Sequence, residues 1–172
     1  MQKILTNTSI KLLMKKIDLQ IHLNINKKVG LNKKIGIIQS IWNTDITNRL
    51  YSGCHKTLVK YGVNEKNIKT IKVPGSFELI FGAKNMISNN PKLDAVIVIG
   101  SIIKGETPHF NFISQAIANG IKDLNILFNI PIVFCVSTDL NHQQALDRAG
   151  GRMGNKGTDA AYTTLQLLQT SY

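Results

Sequence analysis

A short apolar run, Asp94-Ala95-Val96-Ile97-Val98-Ile99, is followed directly by Gly100-Ser101-Ile102-Ile103-Lys104-Gly105-Glu106-Thr107-Pro108-His109-Phe110. The run is rich in β-branched residues, which favours a strand buried on both faces of a parallel sheet. Thr107 and Pro108 are typical of the N-cap and the first residue of a helix. A helix that begins there exposes backbone N–H groups and the positive end of its dipole. We therefore predict that an anion binds beside Thr107 with His109 within reach.

The same succession of strand and helix occurs four times along the chain. The predicted strands are 34–39, 68–73, 95–99 and 131–136. Apolar residues at helical spacing follow each strand, with inward faces over 46–61, 79–87, 112–124 and 161–168, and a short helix is predicted near 143–148. This pattern predicts an α/β fold, a three-layer α/β/α sandwich around a four-stranded parallel sheet.

Polar and aromatic side chains cluster where the predicted strands end. Trp42 follows the first strand, residues 76–78 the second, residues 101–109 the third, and residues 137–139 the fourth. Ligands of open parallel sheets bind outside the carboxyl ends of the strands. We therefore expect these four segments to converge on one site.

The chain has 172 residues, which suits one domain with a full core and is too short for two ordinary ones. We predict a domain over residues 34–172 and an N-terminal extension over residues 1–33. Within the extension, apolar and polar residues alternate over 17–26, which is typical of a half-buried strand. Such a strand needs a sheet edge to pair with, and an edge on a neighbouring subunit is one solution.

The formal net charge of +11 is distributed unevenly. Residues 1–34 hold eight lysines and one acid, whereas thirteen basic and nine acidic side chains are spread over residues 35–172. The excess sits mostly in the extension, and Lys, Asn and Ile are frequent throughout, as a biased genome would produce. We therefore expect no nucleic-acid partner.

The remaining composition indicates an intracellular protein without a membrane partner. No apolar run has the length of a membrane span, and the N-terminus lacks the features of a secretory signal. Cys54 and Cys135 have neither disulfide nor zinc-site spacing and are expected to be reduced core residues. Organelle targeting is the minority interpretation of the extension, which is poor in acids but has no Arg before Arg49 and only Ser9.

Several residues of the predicted site have both a functional and a simpler interpretation. His109 is a candidate acid/base, because imidazole exchanges protons near neutral pH, whereas the other histidines are expected at the surface. Arg148 is either a guanidinium that grips phosphate or a solvated cation at a helix end. Lys156 is either a second charge near a substrate or an ordinary turn lysine.

The carboxylate and the aromatic residues of the predicted site likewise have more than one interpretation. Glu78 either binds hydroxyl groups or complements a helix dipole. Trp42 suits a stacking surface better than a core position, and Phe134 is a core residue by default because it lies within a predicted buried strand. Neither a Gly-x-Gly-x-x-Gly fingerprint nor a Walker-type lysine motif is present, so nicotinamide and nucleoside-triphosphate chemistry are not expected.

Three separated motifs carry a resemblance to a known family. They are Val73-Pro74-Gly75-Ser76-Phe77-Glu78, Lys104-Gly105-Glu106-Thr107-Pro108-His109-Phe110, and Arg148-Ala149-Gly150 followed by Gly154-Asn155-Lys156-Gly157. In this order and spacing the chain resembles the 6,7-dimethyl-8-ribityllumazine synthases from about Lys34 to the C-terminus. The resemblance implies a flavodoxin-like fold. It also implies condensation of 5-amino-6-(D-ribitylamino)uracil with 3,4-dihydroxy-2-butanone 4-phosphate in riboflavin biosynthesis.

The resemblance further implies a cytoplasmic enzyme that uses no cofactor and no metal. Its members form homopentamers, some of them assembled into sixty-subunit shells, and an N-terminal strand adds to the sheet of the next subunit. Riboflavin synthase is implied as a candidate partner.

The resemblance also assigns roles to residues. His109 would shuttle protons, and Glu106, Thr107 and Arg148 would bind the butanone phosphate. The residues implied for the ribitylaminouracil are Trp42, Ser76, Phe77, Glu78, Ser101, Ile102, Ile103, Phe134 and Lys156. Phe134 and Arg148 would come from the neighbouring subunit.

The chain departs from the family pattern at three positions. Ile41 and Lys104 stand where a basic residue and an arginine are common, and Asn111 stands where an acid is common. We expect Asn111 to affect the rate more than the reaction. A riboflavin synthase-like paralogue, a noncatalytic flavin- or pterin-binding module and a shell-forming structural protein are the alternatives.

Overall fold

The computed structural model describes residues 25–170. Its main strands are β1 (Ile35–Ser40), β2 (Ile68–Val73), β3 (Ala95–Ile103) and β4 (Ile132–Asp139), and β5 (Ala149–Gly151) and β6 (Gly154–Asn155) form a small hairpin. The helices are α1 (Thr44–Lys60), α2 (Leu79–Asn89), α3 (His109–Leu127), α4 (His142–Arg148) and α5 (Lys156–Gln169), with a 3₁₀ turn at Glu65–Asn67.

The four main strands form one parallel sheet in the order β2-β1-β3-β4. Helices cover both faces, so the predicted three-layer, flavodoxin-like α/β/α sandwich is confirmed. β1 is buried throughout and β3 is buried up to Ser101, because successive side chains point to opposite faces and helices cover both. Ile37 and Ile97 pack with α1 and α5, whereas Ile38 and Val98 pack with α2 and α3.

Two strands are longer than predicted. β3 continues to Ile103 and β4 to Asp139, because parallel pairing persists from Gly100 opposite Val136 to Ile103 opposite Asp139. The loss of an apolar pattern marked the predicted ends, but backbone pairing does not require apolar side chains. The residues 101–103 and 137–139 therefore belong to strands rather than to the loops that follow them.

The start and the inward face of α3 also differ from the prediction. The helix begins at His109, Pro108 precedes it, and no side chain caps it, so Thr107 is not the N-cap. Phe112 was expected to point inward but is 68% exposed. The buried positions of α3 are Ile117, Ile121 and Leu124, and Phe112 lies beside this stripe rather than on it.

The residues just before β1 pack on the domain. Ile25 belongs to the core between the sheet, α1 and α5, and the backbone N–H of Gly30 donates to the carbonyl of Tyr61 at 2.9 Å. The predicted exchanged strand at 17–26 lies outside the described residues except for its last two, which are not in a strand. Across residues 25–170, no helix is long and apolar enough to cross a membrane.

Candidate active site

A cavity of about 720 Å³ opens at the carboxyl ends of β1, β2 and β3. We call it the His109 cavity. Its lining residues come from the three loops after these strands and from the strand end itself: Trp42, Asn43, Gly75, Ser76, Phe77, Glu78, Ser101, Ile102, Ile103, His109 and Ile113. The structure thus brings together eight of the residues that the sequence singled out.

Two buried serines give the His109 cavity its polar floor. The hydroxyl groups of Ser76 and Ser101 have no hydrogen-bond partner among the described residues. A Cβ at Gly100 would lie 2.7 Å from the Ser76 oxygen, so a glycine is needed there for the serine to occupy its position. Buried unsatisfied hydroxyls are costly, about 1–3 kcal/mol each. Both groups are therefore suited to binding the polar atoms of a ligand.

The aromatic wall of the cavity is exposed to solvent. Trp42 is 70% exposed, which shows that it is not a core residue. The residue after it, Asn43, adopts a left-handed conformation (φ 56°) and donates its side-chain amide to the carbonyl of Ser101 at 3.1 Å. This bond ties the Trp42 loop to β3. The indole is thereby held at the mouth of the cavity, where a flat ring could stack on it.

The titratable residues of the cavity stand at two helix starts. His109 is the exposed first residue of α3, and its N–H and that of Phe110 donate to no carbonyl in the described part of the chain. Glu78 precedes the first residue of α2 and makes no capping hydrogen bond with its side chain. Both side chains are accessible to a ligand. Glu106 and Thr107 are exposed in the loop before α3 and line neither this cavity nor the next.

A second cavity, of about 550 Å³, runs along the outer edge of β4 between α3 and α5. We call it the Arg148 cavity. It is lined by Phe134, Arg148 and Lys156 together with neighbouring residues of β4 and α5. Of the five sequence-predicted residues that are missing from the His109 cavity, these three are therefore together in the Arg148 cavity, whereas Glu106 and Thr107 line neither.

The cations of the Arg148 cavity are paired with carboxylates. Arg148 ends α4, and its Nε lies 3.3 Å from Oδ1 of Asp139. The Lys156 Nζ lies 2.7 Å from Oδ2 of Asp159, one helical turn further along α5. Asn155 places Lys156 at the helix start, because its side-chain oxygen accepts hydrogen bonds from the N–H groups of Gly157 and Thr158.

Phe134 is 42% exposed, so its default interpretation as a core residue is wrong. It lies on β4, which is an edge strand of the sheet in the described residues. Its neighbours Val133 and Cys135 are buried in the core, whereas Phe134 is exposed and lines the Arg148 cavity. Strand periodicity alone does not reveal which strand forms an edge.

The two cysteines do not supply a nucleophile. Both are free and buried, as predicted for core residues. Burial raises the pKa of the Cys135 thiol to about 12, with a further upward contribution from Asp159 that Lys156 partly offsets. Burial likewise raises the pKa of Cys54. Both thiols therefore stay protonated and unreactive at neutral pH.

Comparison with known proteins decides the family. A model of the 6,7-dimethyl-8-ribityllumazine synthase family matches residues 32–171. The chain belongs to this family. It is 52% identical over 136 residues to a 6,7-dimethyl-8-ribityllumazine synthase of Flavobacterium psychrophilum, covering 79% of this chain and 71% of that protein. It is 45% identical over 136 residues to the synthase of Christiangramia forsetii (79% and 81% covered) and 45% identical over 135 residues to that of Bacteroides fragilis (78% and 94% covered).

Four residues of interest were not given a role at the site by sequence reasoning. Asn43, Gly75 and Ile113 line the His109 cavity, and Asp139 holds Arg148. Asn43 and Gly75 carried a signal, because each follows a strand end directly beside a residue that was selected. Asp139 had been placed near the site, but nothing local indicated its contact with Arg148.

The three departures from the family pattern are all exposed. Ile41, Lys104 and Asn111 line neither cavity. The backbone N–H of Asn111 donates to the carbonyl of Pro108 in the first turn of α3.

Proposed function

We propose that this member of the lumazine synthase family condenses 5-amino-6-(D-ribitylamino)uracil with 3,4-dihydroxy-2-butanone 4-phosphate, and that the His109 cavity holds the reacting atoms. The observation that carries the proposal is the convergence of His109, two unsatisfied serine hydroxyls and an exposed tryptophan in one cavity of about 720 Å³. The reaction consists of imine formation, phosphate elimination, ring closure and dehydration. Imine formation and ring closure form carbon–nitrogen bonds, elimination and dehydration release phosphate and water, and all of these steps require proton transfers to or from the two reactants held together.

The chemistry divides between orientation and proton transfer. Holding two reactants in reacting geometry can supply ~7–11 kcal/mol of the barrier reduction, and one positioned acid/base can add ~10²- to 10⁴-fold. Trp42 would stack on the pyrimidine ring, while Glu78 would accept hydrogen bonds from ribityl hydroxyls. Ser76, Ser101 and the β3 end would complete the binding of the uracil, and His109 would relay protons.

We further propose that the complete site forms between two subunits of a homo-oligomer, a pentamer, with the His109 cavity of one subunit facing the Arg148 cavity of the next. Support comes from the position of the predicted site residues in two cavities of one chain. Phe134, Arg148 and Lys156 line one cavity, and His109 lines the other. Large apolar side chains are also exposed on α2 and α3, namely Phe81, Phe112, Ile126 and Leu127. Exposed apolar surface of this kind favours association between protein molecules.

In this assembly Arg148 of the neighbour would bind the phosphate, with the free N–H groups at the start of α3 and the residues Glu106 and Thr107 beside it. Lys156 of the neighbour would contact the ribitylaminouracil. We propose that the enzyme acts in the cytoplasm, where two free buried cysteines remain reduced. A riboflavin synthase would consume its product.

The activity is tested by incubating the purified chain with both substrates and measuring released phosphate and the lumazine product together. We expect stoichiometric formation of both. Ligand binding without phosphate release would favour the noncatalytic flavin- or pterin-binding alternative. Assembly without substrate binding would favour a structural shell protein, and turnover of the lumazine alone would favour a riboflavin synthase-like paralogue.

The oligomer is tested by native mass spectrometry of the full chain and of a chain without residues 1–24. We expect five subunits, or a multiple of five, for the full chain. The shorter chain tests whether the extension contributes to assembly. A monomer that retains full turnover would contradict the shared site.

A further inference from the structure

Asp139 is a buried carboxylate at the end of β4. Its side chain is 0% exposed and lines neither cavity. Oδ2 accepts a hydrogen bond from the Ser137 hydroxyl, and Oδ1 lies 3.3 Å from the Arg148 Nε without another partner in the described part of the chain. A buried charge is costly unless it is paired. Arg148 is the counter-ion that the structure provides for it.

The pairing constrains how Arg148 presents its guanidinium. Nε carries one of the five N–H donors of the group, and the terminal nitrogens carry the other four. With Nε against Asp139, the terminal nitrogens remain for the Arg148 cavity, which this half-exposed residue lines. Two parallel donors of this kind match two oxygens of a phosphate.

We infer that Asp139 is a positioning residue, which holds the Arg148 guanidinium in the orientation that grips the phosphate of the butanone substrate. This inference rests on the proposed function. Asp139 itself touches no substrate. Its negative charge opposes anion binding at the same place, but the long arginine side chain has many rotamers, and a buried anchor held by Ser137 removes most of them. If Asp139 anchors Arg148, its loss should weaken phosphate binding. If Asp139 acts only through its negative charge, its loss should strengthen phosphate binding.

A second buried aspartate provides a matched control. Asp147 precedes Arg148, pairs with Arg152, and accepts a hydrogen bond from Gln143 at 3.2 Å. Neither Asp147 nor Arg152 lines either cavity. Asp139→Asn and Asp147→Asn thus make the same chemical change in two buried aspartate–arginine pairs.

The test is steady-state kinetics with each substrate varied in turn. We expect Asp139→Asn to raise the KM for butanone phosphate about tenfold, with the KM for the ribitylaminouracil unchanged, since a small displacement of a positioning group has effects of about this size or larger. Asp147→Asn should leave both KM values unchanged. Equal increases in both KM values for Asp139→Asn, or a lower KM for butanone phosphate, would overturn the inference.

Two further variants keep the inference testable if Asp139→Asn does not fold. Ser137→Ala removes the hydroxyl that holds Asp139 and should raise the same KM about twofold to threefold; because Ser137 also lines the Arg148 cavity, the Arg148→Gln background distinguishes this effect from a direct one. In an Arg148→Gln background, adding Asp139→Asn or Ser137→Ala should change nothing further, because the effect passes through Arg148. An unchanged KM for Ser137→Ala, or an effect that persists without Arg148, would contradict it.

Calorimetric titration with inorganic phosphate separates this inference from the proposed function. We expect weaker phosphate binding in Asp139→Asn and Ser137→Ala than in the wild type. If the wild type binds phosphate in this way but forms no lumazine, the proposed function fails and the positioning role stands. If the wild type turns over and phosphate affinity is the same in all variants, the positioning role fails alone.

Discussion

His109 and Arg148 line different cavities of the same chain. His109 begins α3 beside the end of β3, whereas Arg148 ends α4 beside β4 at the edge of the sheet. An acid/base group and a phosphate-binding group that serve one reaction must lie within a few ångströms of the same substrate. The proposed site therefore takes one group from each of two subunits.

Subunit mixing tests this arrangement. His109→Ala and Arg148→Ala should each be nearly inactive alone. When the two are co-expressed and assemble at random, about one quarter of the interfaces receive an intact His109 from one subunit and an intact Arg148 from the next. The specific activity should therefore recover to about a quarter of the wild-type value, measured as phosphate release.

The control for mixing pairs His109→Ala with a chain that carries both substitutions. No interface of that assembly contains His109, so no activity should return. Lack of recovery in the first mixture, with assembly intact by native mass, would place both residues in one subunit's site.

The role of His109 is tested against a second histidine in a similar position. His109 and His142 are each the exposed first residue of a helix, but only His109 lines a cavity, and His142 pairs with Asp45 at 2.6 Å. We expect His109→Ala to lower kcat by ~10²- to 10⁴-fold. His142→Ala should leave kcat unchanged, and equal losses for both variants would argue against proton transfer by His109.

The contact between α1 and α5 depends on Gly157. A Cβ at this position would lie 1.8 Å from the carbonyl oxygen of Leu50, which is backbone and cannot move without separating the helices. We expect Gly157→Ala to lower the free energy of unfolding by about 3 kcal/mol or more. Gly105→Ala is the control, since a Cβ there meets nothing within 4 Å, and its change should stay within about 1 kcal/mol. Chemical denaturation at one protein concentration measures both.

The pair of Asp147 and Arg152 should make stability depend on pH. The hydrogen bond from Arg152 lowers the pKa of Asp147; burial opposes this shift, while Gln143 and the charge of Arg152 reinforce it. Because the pKa of Asp147 is lower in the folded protein than in the unfolded chain, the ionised carboxylate stabilises the fold at pH values above the unfolded-state pKa of about 3.9. This stabilisation is lost as the pH falls through the folded-state pKa. The wild type should therefore exceed Asp147→Asn in unfolding free energy at neutral pH.

This difference should shrink in acid. Denaturation of both proteins at pH values of about 7, 5 and 3 measures it. A difference that stays constant down to the lowest pH would mean that the carboxylate charge contributes nothing, and that the substitution acts through packing alone.

Local sequence patterns predicted the four strands of the main sheet well, because each strand is a short, mostly apolar segment followed by a helical pattern. The β2 prediction matches the observed bounds, and β1 is displaced by one residue, since apolar side chains mark both strands clearly. β3 and β4 were predicted too short because Gly100 and Ser101 interrupt the apolar run of β3 and polar residues 137–139 end β4, while backbone pairing continues through both segments. Hydropathy reports side-chain burial and does not report backbone pairing.

The sequence predicted most residues of the candidate site, but it did not predict that they lie in two separate cavities of one chain. Trp42, Ser76 and His109 follow three different strands, and the rule that ligands bind at the carboxyl edge predicted that they meet. That Phe134 is exposed follows from the position of β4 at the edge of the sheet, which is a property of strand order. The contact of Arg148 with Asp139 joins residues of two elements and has no local signature.

The amino-acid sequence by itself determined the alternation of strand and helix, the parallel layered fold and the family, because these depend on side-chain periodicity and on motifs that each consist of a few consecutive residues. Only the tertiary structure decided which strand forms an edge, which cavity each candidate residue enters and which carboxylate holds Arg148. Those features arise from contacts between distant segments, and their geometry exists only once the sheet has assembled.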